Sequence, residues 1–565
     1  MPHLSPSDIR NVALVGHHGA GKTTLAEALL VATGAISRQG SVERGTTVCD
    51  FEPEATDRQL SVALAVAPIE VDGVKVNLLD TPGTIDFAAD VQTALALADL
   101  AVIVVGATDG VQAQTEDAWR AAAALGLPRV VVVDKLDRDR ADFDRVLTEI
   151  GQAFGAGVAP VELPIGAEAA FCGVIDLLDD TATLYEPGAG PPVAGTEGPI
   201  PDELVTAEHR VHEQLVEGIV VGDDDLMARY LDGETISRIE LQASLAGGVA
   251  AGVVFPVLCC SGATGVGVDR LARLLVELCP SPAHHRPAVV RAGDQTVEVP
   301  CDPAGRPLLV VARSLSDHHS GKLSLCKVLS GTVQPDLVLV NTRTRVDERL
   351  HVLQTLRGHE VIPTTEAVAG DFVAIPRLAD AATGDTLAPK GSPVTVELPD
   401  PGPPPLSVAV RPVSRQDDDK LMSALQRLCE EDAALRVSRD DETHQTLLGV
   451  AGEVHLAVTL ERLSRKFGVS VEREEVQIPY RETVATTATA EGRHKKQSGG
   501  HGQFGVCHLR IQPLGRGEGF AFVDQVVGGA IPRQYIPAVE KGVREAMAQG
   551  GTLGHPVVDV SVAVD

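Results

Sequence analysis

Apolar runs alternate with helical segments near the start of the chain. Short apolar runs that end at polar or glycine residues predict buried strands. The predicted strands are Asn11–Val15, Val62–Val71, Val74–Leu79, Leu100–Val105 and Arg129–Val133. The predicted helices lie near Phe87–Ala98, Glu116–Leu125 and Asp142–Phe154. This alternation is typical of a doubly wound, mostly parallel α/β sheet. The dipeptide Asp72-Gly73 predicts a tight hairpin turn, so one edge pair is expected to be antiparallel.

The pattern changes several times after residue 155. The Pro/Gly-rich stretch Glu186–Pro201 predicts a surface loop, and the sheet is expected to resume only at Phe255–Cys259. Proline-rich stretches at Pro280–Pro287 and Asp400–Pro405 predict linkers. Short β-like runs between these linkers predict a small antiparallel β-barrel, and mixed strands and helices beyond them predict α+β domains. The further predicted helices are Asp418–Glu430, Val454–Phe467 and Ile536–Ala548.

These changes divide the chain into predicted domains. The first, at 1–287, is the α/β domain, and it carries an insertion at about 158–253. The β-barrel domain is expected at 288–402, an α+β domain at 403–480, and part of a further domain at 481–565. The sequence therefore predicts a multidomain protein.

Composition limits where the chain can bind nucleic acid. Its 565 residues are 44% hydrophobic and 22% charged, with a formal net charge of −30. Because so acidic a chain cannot bind RNA over its whole surface, either any RNA contact is local, through a small basic patch, or the partner is itself a basic protein. No run of eighteen apolar residues and no secretory signal is visible, so no membrane association is expected. Nine cysteines without a C-x-x-C pair predict reduced thiols in a cytoplasmic protein.

The segment Gly16–Thr23 carries the most specific chemistry. It fits the phosphate loop G-x-x-x-x-G-K-[ST], follows a predicted strand and opens a predicted helix. Backbone N–H groups of such a loop bind phosphate oxygens. Lys22 is expected to reach the outer phosphates, and the Thr23 hydroxyl is expected to hold Mg²⁺. The candidate phosphate-binding residues are Gly16, His17, His18, Gly19, Ala20, Gly21, Lys22, Thr23 and Thr24.

Two further strand ends add a magnesium residue and a base-reading motif. Asp80 and Gly83 form D-x-x-G, in which the carboxylate would hold Mg²⁺ through water and the glycine N–H would sense the γ-phosphate. The run from Asp134 to Asp137 resembles the N-K-x-D motif of GTPases. Asp137 would accept hydrogen bonds from the guanine base, and Lys135 would lie along its ring. Residues expected to close over the base are Ser261, Gly262 and Ala263.

Together these motifs resemble the translational GTPases, and elongation factor G in particular. Motifs similar to that factor run through the chain: Gly110–Thr115, Gly321–Leu323, Gly384–Leu387, Gly452–Leu456, Tyr480–Thr483, Gln497–Gly505 and Val527–Pro532. The resemblance implies GTP or GDP with Mg²⁺ as ligands, the ribosome as partner, and a cytoplasmic protein that is monomeric off the ribosome. It also implies tRNA and mRNA contact at the fourth domain's tip through Arg493, Lys495, Lys496 and His501.

The sequence departs from the family at positions that matter for chemistry. Thr84 stands where the family has the histidine that orients the attacking water, which predicts hydrolysis slowed on the order of 10²-fold or more. The alternative is that another residue of the chain, or the partner, orients the attacking water. Asp134 replaces an asparagine and cannot donate when ionised, which predicts weaker nucleotide affinity. The segment Arg58–Val62 stands where the family has its first switch, and Ser61 keeps the hydroxyl that would complete the Mg²⁺ coordination there. The predicted magnesium residues are therefore Thr23, Ser61 and Asp80.

Two functions remain open from the sequence. The first is an elongation factor G-like GTPase of translocation or ribosome recycling, with hydrolysis weakened at Thr84. The alternative is a nucleotide-switched ribosome-binding factor without hydrolysis, serving protection, recycling or stress. A metabolic phosphate-loop ATPase or kinase is disfavoured by Asp137 and the appended domains. The family's fifth domain is absent from the sequence, which indicates either a fragment or a shortened paralogue.

Overall fold

The computed structural model describes residues 4–186, 194–220, 224–232, 234, 236–317, 321–496, 500 and 502–565. The chain divides into two compact units. The first unit comprises Met1–Ser438 with Leu448–Arg473, and the second unit comprises Arg439–Leu447 with Glu474–Asp565. No helix in the described part of the chain is long and apolar enough to cross a membrane. All nine cysteines are free, as predicted.

The first unit begins with strands and helices in alternation. The strands are β1 Ile9–Val15, β2 Ala65–Val71, β3 Val74–Asp80, β4 Leu100–Gly106, β5 Arg129–Asp134, β6 Val158–Pro160, β7 Glu162–Ile165, β8 Gly173–Asp176, β9 Thr181–Leu184, β10 Thr196–Gly198 and β11 Phe255–Cys259. The helices are α1 Lys22–Ala32, α2 Pro53–Thr56, α3 Ala88–Leu97, α4 Ala113–Ala124, α5 Phe143–Phe154, α6 Val205–Val220, α7 Asp224–Leu231, α8 Arg238–Ala250 and α9 Val268–Leu278.

The main sheet is a mixed sheet with a mostly parallel strand order. Within the described residues the order is β2-β3-β1-β4-β5-β11-β6, and only β2 and β3 pair antiparallel. Every residue of β4 and β5 is buried, which explains their continuous apolar runs. Asp72 and Gly73 join β2 to β3 with φ angles of 50° and 80°, as a tight hairpin turn requires. The doubly wound sheet and its antiparallel edge pair are therefore confirmed.

The sequence placed two details of this region wrongly. Strand β2 begins at Ala65, three residues later than Val62. Strand β6 pairs with β11 in the main sheet, although it lies inside the stretch predicted as an insertion. Its three residues are too few to show any periodicity. Beyond β6, strands β7 to β10 form a separate antiparallel sheet in the order β10-β9-β8-β7. Of the predicted loop Glu186–Pro201, residues 187–193 lie outside the described residues, and β10 occupies part of the rest.

The next region of the first unit is built from antiparallel strands. They are β12 Ala288–Ala292, β13 Gln295–Val299, β14 Leu308–Asp317, β15 Gly321–Ser330, β16 Thr332–Val333, β17 Val338–Asn341, β18 Asp347–Arg349, β19 Leu353–Arg357, β20 Glu360–Thr364, β21 Ala367–Val368, β22 Phe372–Pro376, β23 Thr386–Ala388 and β24 Val394–Val396. The largest sheet has the order β18-β17-β23-β14-β15-β22-β19-β20. Its pairs are antiparallel, so the predicted barrel class is confirmed.

An α+β layer follows the barrel. Its elements are β25 Leu406–Pro412, α10 Asp418–Glu431, β26 Arg436–Arg439, β27 Thr446–Val450, α11 Glu453–Phe467 and β28 Val471–Glu474. The strand order is β26-β27-β25-β28. Leucines of α10 and α11 bury against this sheet in one core, which is why the helical spacing of these residues was visible in the sequence. Both predicted helices are confirmed to within one residue.

The second unit is a small sheet with one helix. Its elements are β29 Ala488–Lys496, β30 Gln503–Pro513, β31 Phe520–Asp524, α12 Ile536–Gln549 and β32 Val560–Val564. The strand order is β29-β30-β32-β31, and β31 pairs parallel with β32 across the connection that contains α12. All nine residues of β29 are exposed, and α12 has no buried residue. The predicted helix Ile536–Ala548 is confirmed to within one residue.

Candidate functional site

The segment Gly16–Thr23 leaves β1 and turns into the first residues of α1. Gly16, Gly19 and Gly21 have φ angles of 144°, 78° and 112°, which favour glycine. A Cβ on Gly16 would collide with the backbone of Val104, and one on Gly21 would collide with the carboxylate of Asp134. The glycine spacing is therefore a steric requirement of this loop.

A cavity of about 750 Å³ opens beside this loop. The predicted site residues that line it are His18, Gly19, Gly21, Lys22, Thr23, Thr24, Ser61, Gly83 and Lys135. Lys22 Nζ donates to the carbonyl oxygens of Gly16 (3.0 Å) and His17 (2.9 Å). Burial lowers the pKa of Lys22 to about 8, against the opposing effect of nearby carboxylates. A buried ammonium beside open main-chain N–H groups fits an anionic ligand such as a phosphate chain.

The three predicted magnesium residues lie together, and two of them, Thr23 and Ser61, line the cavity. Thr23 Oγ1 donates to Asp80 Oδ2 at 2.8 Å and lies 3.2 Å from Ser61 Oγ. Asp80 Oδ1 is buried and has no hydrogen-bond partner in the described part of the chain. Burial, reinforced by the charge of Asp50, raises the pKa of Asp80 to about 7. A hydroxyl pair beside an unpaired carboxylate oxygen fits a hard cation such as Mg²⁺.

Asp50 belongs to this group, although the sequence did not identify it. Its Oδ2 accepts a hydrogen bond from Ser61 Oγ at 3.1 Å, and burial raises its pKa. Asp50 lies in a loop without a recognisable motif, so only the three-dimensional arrangement connects it to Asp80. Two buried carboxylates that repel each other add to the preference for a bound cation.

The segment after β3 touches the phosphate loop. A Cβ on Gly83 would lie 2.5 Å from Lys22 Nζ and 2.6 Å from His18 N, so only glycine allows this approach. Thr84 precedes the short turn Ile85–Phe87 and does not cap it with its side chain. Its hydroxyl therefore has no capping role in this turn.

Asp86, two residues beyond Thr84, joins this segment to α11. Its Oδ2 accepts hydrogen bonds from the main-chain N–H groups of Val454 (2.9 Å) and His455 (3.0 Å), in the first turn of the helix. A Cβ on Gly452 would lie 2.5 Å from the same carboxylate. A carboxylate at a helix N-terminus satisfies open N–H groups and interacts well with the helix dipole. The loop that carries Gly83 is thus fixed to a helix of the α+β layer.

The predicted base-reading residues also converge. Asp137 Oδ1 accepts a hydrogen bond from Ser261 Oγ at 2.7 Å. Lys135 has a φ of 67°, donates to the carbonyl oxygen of Gly19 and lies 3.4 Å from Asp109 Oδ2. Lys135 therefore spans from the N-K-x-D-like segment to the phosphate loop, a contact the sequence did not predict.

Asp134 is buried between two loops of the site. Its Oδ1 accepts a hydrogen bond from Gly262 N at 2.7 Å, and its other oxygen lies next to Gly21. Burial raises its pKa to about 6. The side chain does not line the cavity. Both oxygens of Asp134 therefore lie against the loops that shape the site.

Three other predicted residues lie near the site without lining the cavity. His17 is buried with Nδ1 3.2 Å from Thr115 Oγ1, and burial lowers its pKa to about 4. Ala20 is fully buried in the core behind the loop. Ala263 lies in the turn that follows β11.

The predicted RNA-contact residues lie on β29 in the second unit. Alternation along the strand puts Arg493 and Lys495 on one face and Lys496 on the other. Arg493 Nε is 3.0 Å from Glu491 Oε1, which offsets part of its charge. Lys495 pairs directly with Phe504, whose side chain is 70% exposed. Sequence reasoning missed this aromatic partner, and His501 lies outside the described residues.

This fold and site define a phosphate-loop nucleotide-binding protein that carries additional β and α+β domains. Residues 7–281 match the elongation factor Tu GTP binding domain. Residues 308–390, 402–475 and 476–565 match domain 2, domain III and domain IV of elongation factor G. The matches together account for nearly the whole chain.

Known proteins with similar sequences carry the same family name. Elongation factor G-like proteins of two Mycobacterium tuberculosis strains, CDC 1551 / Oshkosh and ATCC 25618 / H37Rv, are each 42% identical over 582 residues. These alignments cover 99% of this chain and 80% of each relative. A crystal structure from Thermus thermophilus has a TM-score of 0.83 and 36% identity, covering 99% of this chain and 80% of its own. The chain therefore belongs to the elongation factor G-like family of translational GTPases, which implies guanine-nucleotide binding.

Proposed function

We propose that this chain binds GTP and GDP with Mg²⁺ and acts on the ribosome in translocation or recycling, with slow GTP hydrolysis. The observation that carries the proposal is the cluster of Lys22, Thr23 and Asp80 beside one cavity. Lys22 would neutralise the outer phosphates from its buried position. Thr23, Ser61 and Asp80 would hold Mg²⁺, which supplies charge neutralisation for the transferred phosphoryl group.

The base would be held between Lys135 and Asp137, with Ser261 fixing the carboxylate through its hydrogen bond. A carboxylate here accepts from the N1–H and amino group of guanine, neither of which adenine offers in the same place. This arrangement gives the preference for guanine. Asp134 would act indirectly, by setting the distance between Gly21 and Gly262.

Slow hydrolysis is proposed from the chemistry of Thr84. A threonine hydroxyl is shorter than an imidazole and cannot carry its positive charge. Phosphoryl transfer depends on positioning and electrostatic stabilisation, so the loss of a water-orienting group slows turnover on the order of 10²-fold. Thr84 does not cap the Ile85–Phe87 turn with its side chain, so replacing it removes no capping hydrogen bond.

The partner proposed for β29 is ribosome-bound tRNA or mRNA. Lys495 beside the exposed ring of Phe504 combines a phosphate-binding charge with a surface on which a base can stack. The strongly acidic remainder of the chain keeps this contact local. A cytoplasmic location and a monomeric state off the ribosome complete the proposal.

The test is GTP turnover with and without purified ribosomes, for the native chain and for Thr84→His, with Thr84→Val as the matched control. We expect slow native turnover, a gain of about tenfold or more in Thr84→His with ribosomes, and no gain in Thr84→Val. Native turnover as fast as that of a histidine-containing factor would refute the weakened site.

The same experiment distinguishes the slow GTPase from the alternative, a ribosome-binding factor that does not hydrolyse GTP. A chain that binds ribosomes more tightly with GTP than with GDP, but shows no stimulated turnover, would be a nucleotide-switched binding factor. Calorimetry with GTP or GDP in the presence of Mg²⁺ comes first, because no uptake of either nucleotide would overturn both functions.

A further inference from the structure

A second polar cluster lies away from the nucleotide cavity, where the turn after β8 meets α6. Asp180, Glu208 and His212 each place a possible ligand atom within 4.8 Å of the other two. His212 Nδ1 is 3.3 Å from Asp180 Oδ1 and 3.9 Å from Glu208 Oε1. The carbonyl oxygen of Leu177 lies 2.6 Å from the same nitrogen. Four possible ligand atoms, from this turn and from α6, therefore lie close to one another.

Both elements are fixed by local structure. Glu208 and His212 are four residues apart on α6 and therefore share one face of the helix. The turn after β8 is organised by Asp176, whose Oδ1 accepts hydrogen bonds from Leu178 N (2.8 Å) and Asp179 N (3.1 Å). Asp180 closes this turn with a φ of 50°. The donor atoms thus occupy defined positions.

The buried carboxylate of Glu208 is an observation independent of the clustering that also indicates a bound ion. Its side chain is 1% exposed, and its Oε1 has no hydrogen-bond partner in the described part of the chain. Leaving such an oxygen buried without a donor is costly. Burial raises the pKa of Glu208, and the neighbouring carboxylate of Asp180 raises it further. The orphaned oxygen is the one nearer to His212.

We propose that Asp180, Glu208 and His212, together with the Leu177 carbonyl oxygen, bind one divalent transition-metal ion of the zinc type. Imidazole with carboxylate ligands suits Zn²⁺, whereas Mg²⁺ and Ca²⁺ prefer sites made of oxygen alone. Binding requires an unprotonated Nδ1, so His212 exchanges its contact with Leu177 for a bond to the metal. The ion would join the turn after β8 to α6 and stabilise this part of the first unit.

The competing explanation needs no metal. A protonated His212 would donate to Leu177 O and form ion pairs with Asp180 and Glu208, at the same distances. The two explanations differ in what the cluster does with added metal. They also differ in their effect on stability, because only the metal site links thermal stability to the concentration of Zn²⁺.

The test uses the full chain with Mg²⁺ and GDP in excess, which keeps the nucleotide site occupied. ZnCl₂ is titrated by calorimetry, and CoCl₂ by visible absorption. We expect the native chain to take up about one equivalent more than Glu208→Gln and His212→Gln, with a zinc-dependent rise in melting temperature that both variants lose. The chain has seventeen histidines and nine cysteines, which can also bind zinc. The proposal is therefore tested by the difference in zinc uptake between the native chain and the variants, and not by the total uptake.

His209→Gln is the matched control. It lies next to Glu208 on α6, but its side chain is 70% exposed, and it is expected to leave the extra equivalent intact. Circular dichroism verifies that each variant is folded, and Asp180→Asn replaces any variant that is not. Equal zinc uptake by the native chain and His212→Gln would overturn the proposal. So would a zinc-dependent melting temperature that survives in Glu208→Gln.

Discussion

The nucleotide site of the first unit and the basic strand of the second unit hold their charges in opposite environments. Lys22, Asp50 and Asp80 are buried among one another, and their protonation depends on their neighbours. On β29, Lys495 and Lys496 are exposed on a strand whose residues are all exposed. One region is thus organised before a ligand arrives, and the other presents charge to solvent.

This difference predicts how substitutions act in each region. Interactions between buried charges are strong and screened little, so removing one partner has a large local effect. Exposed charges are screened by salt and by water, so each contributes little and its effect depends on ionic strength. Substitutions of buried charges are therefore expected to have larger effects than substitutions of the exposed charges on β29.

Replacing the buried lysine is expected to weaken nucleotide binding strongly. Lys22→Ala removes the ammonium and leaves Asp50 and Asp80 without their nearest cation. Affinity for a fluorescent GDP should fall by about 100-fold or more, because several charge-assisted hydrogen bonds are lost. Lys496→Ala is the control and should change this affinity less than about twofold. A Lys22→Ala protein that binds GDP like the native chain would remove the basis of the proposed function.

A buried ion-pair network in the first unit offers the next test. Glu52 accepts hydrogen bonds from Arg462 at 2.6 and 3.1 Å and also contacts Arg313, so it links the barrel to α11. Glu52→Gln should lower the free energy of unfolding by about 3 kcal/mol, because it leaves buried guanidinium groups without their charge partner. Glu461→Gln is the matched control. Its pair with Arg58 is half exposed, so its loss should cost about 1 kcal/mol or less.

The pH dependence of the Glu52 effect follows from its pKa. Burial alone would raise the pKa of Glu52, but the charges of Arg462 and Arg313 outweigh it and hold the pKa well below the usual value of 4.5. The stabilisation is therefore complete above about pH 4.5 and is lost as the pH falls below it. Chemical denaturation of native and Glu52→Gln protein should differ most near pH 7. A difference that grows toward pH 4 would contradict this assignment.

Asp134→Asn should increase stability. Burial raises the pKa of Asp134 to about 6, so keeping it ionised costs free energy at neutral pH. Asparagine keeps an oxygen acceptor for Gly262 N and removes that cost, which should add on the order of 1–3 kcal/mol at pH 7. The folded pKa lies above the unfolded one, so the penalty is absent below about pH 4 and complete above pH 6.

The gain of Asp134→Asn should therefore disappear in acid, as denaturation at pH 4 and pH 7 would reveal. Guanine-nucleotide affinity should improve as well, because the loops around Gly21 and Gly262 are then held without a buried charge. Unchanged stability at both pH values would contradict the pKa argument, and unchanged affinity would mean that these loops tolerate the charge.

The sequence predicted what periodicity and local motifs encode. The strands of the main sheet form short apolar runs between turn residues, and helices such as α10 and α11 have apolar residues at helical spacing. Strand β6 was missed because three residues show no period. Asp50 was missed because its role arises from contact with Ser61, which lies eleven residues away without a motif.

The placement of Asp134 shows the same limit within a known motif. Its residue type and position were visible in the sequence, but its orientation depends on the main chain of Gly262, far along the chain. The Glu208–His212 cluster also needs the turn at Asp180, which a different segment supplies. A site built from residues that are far apart in the sequence depends on tertiary packing, which sequence patterns do not show.

The smallest expected effects come from the basic strand. Lys495 and Phe504 share a face of the β29–β30 pair, whereas Lys496 points to the other face. Lys495→Ala and Phe504→Ala should each weaken binding to single-stranded RNA a few-fold, and only the lysine change should reduce the salt dependence, by about one counterion. Filter binding at several salt concentrations measures both. GDP affinity should stay unchanged in both variants. If Lys496→Ala weakened RNA binding as much as Lys495→Ala, binding would depend on total charge and not on the face that carries Phe504.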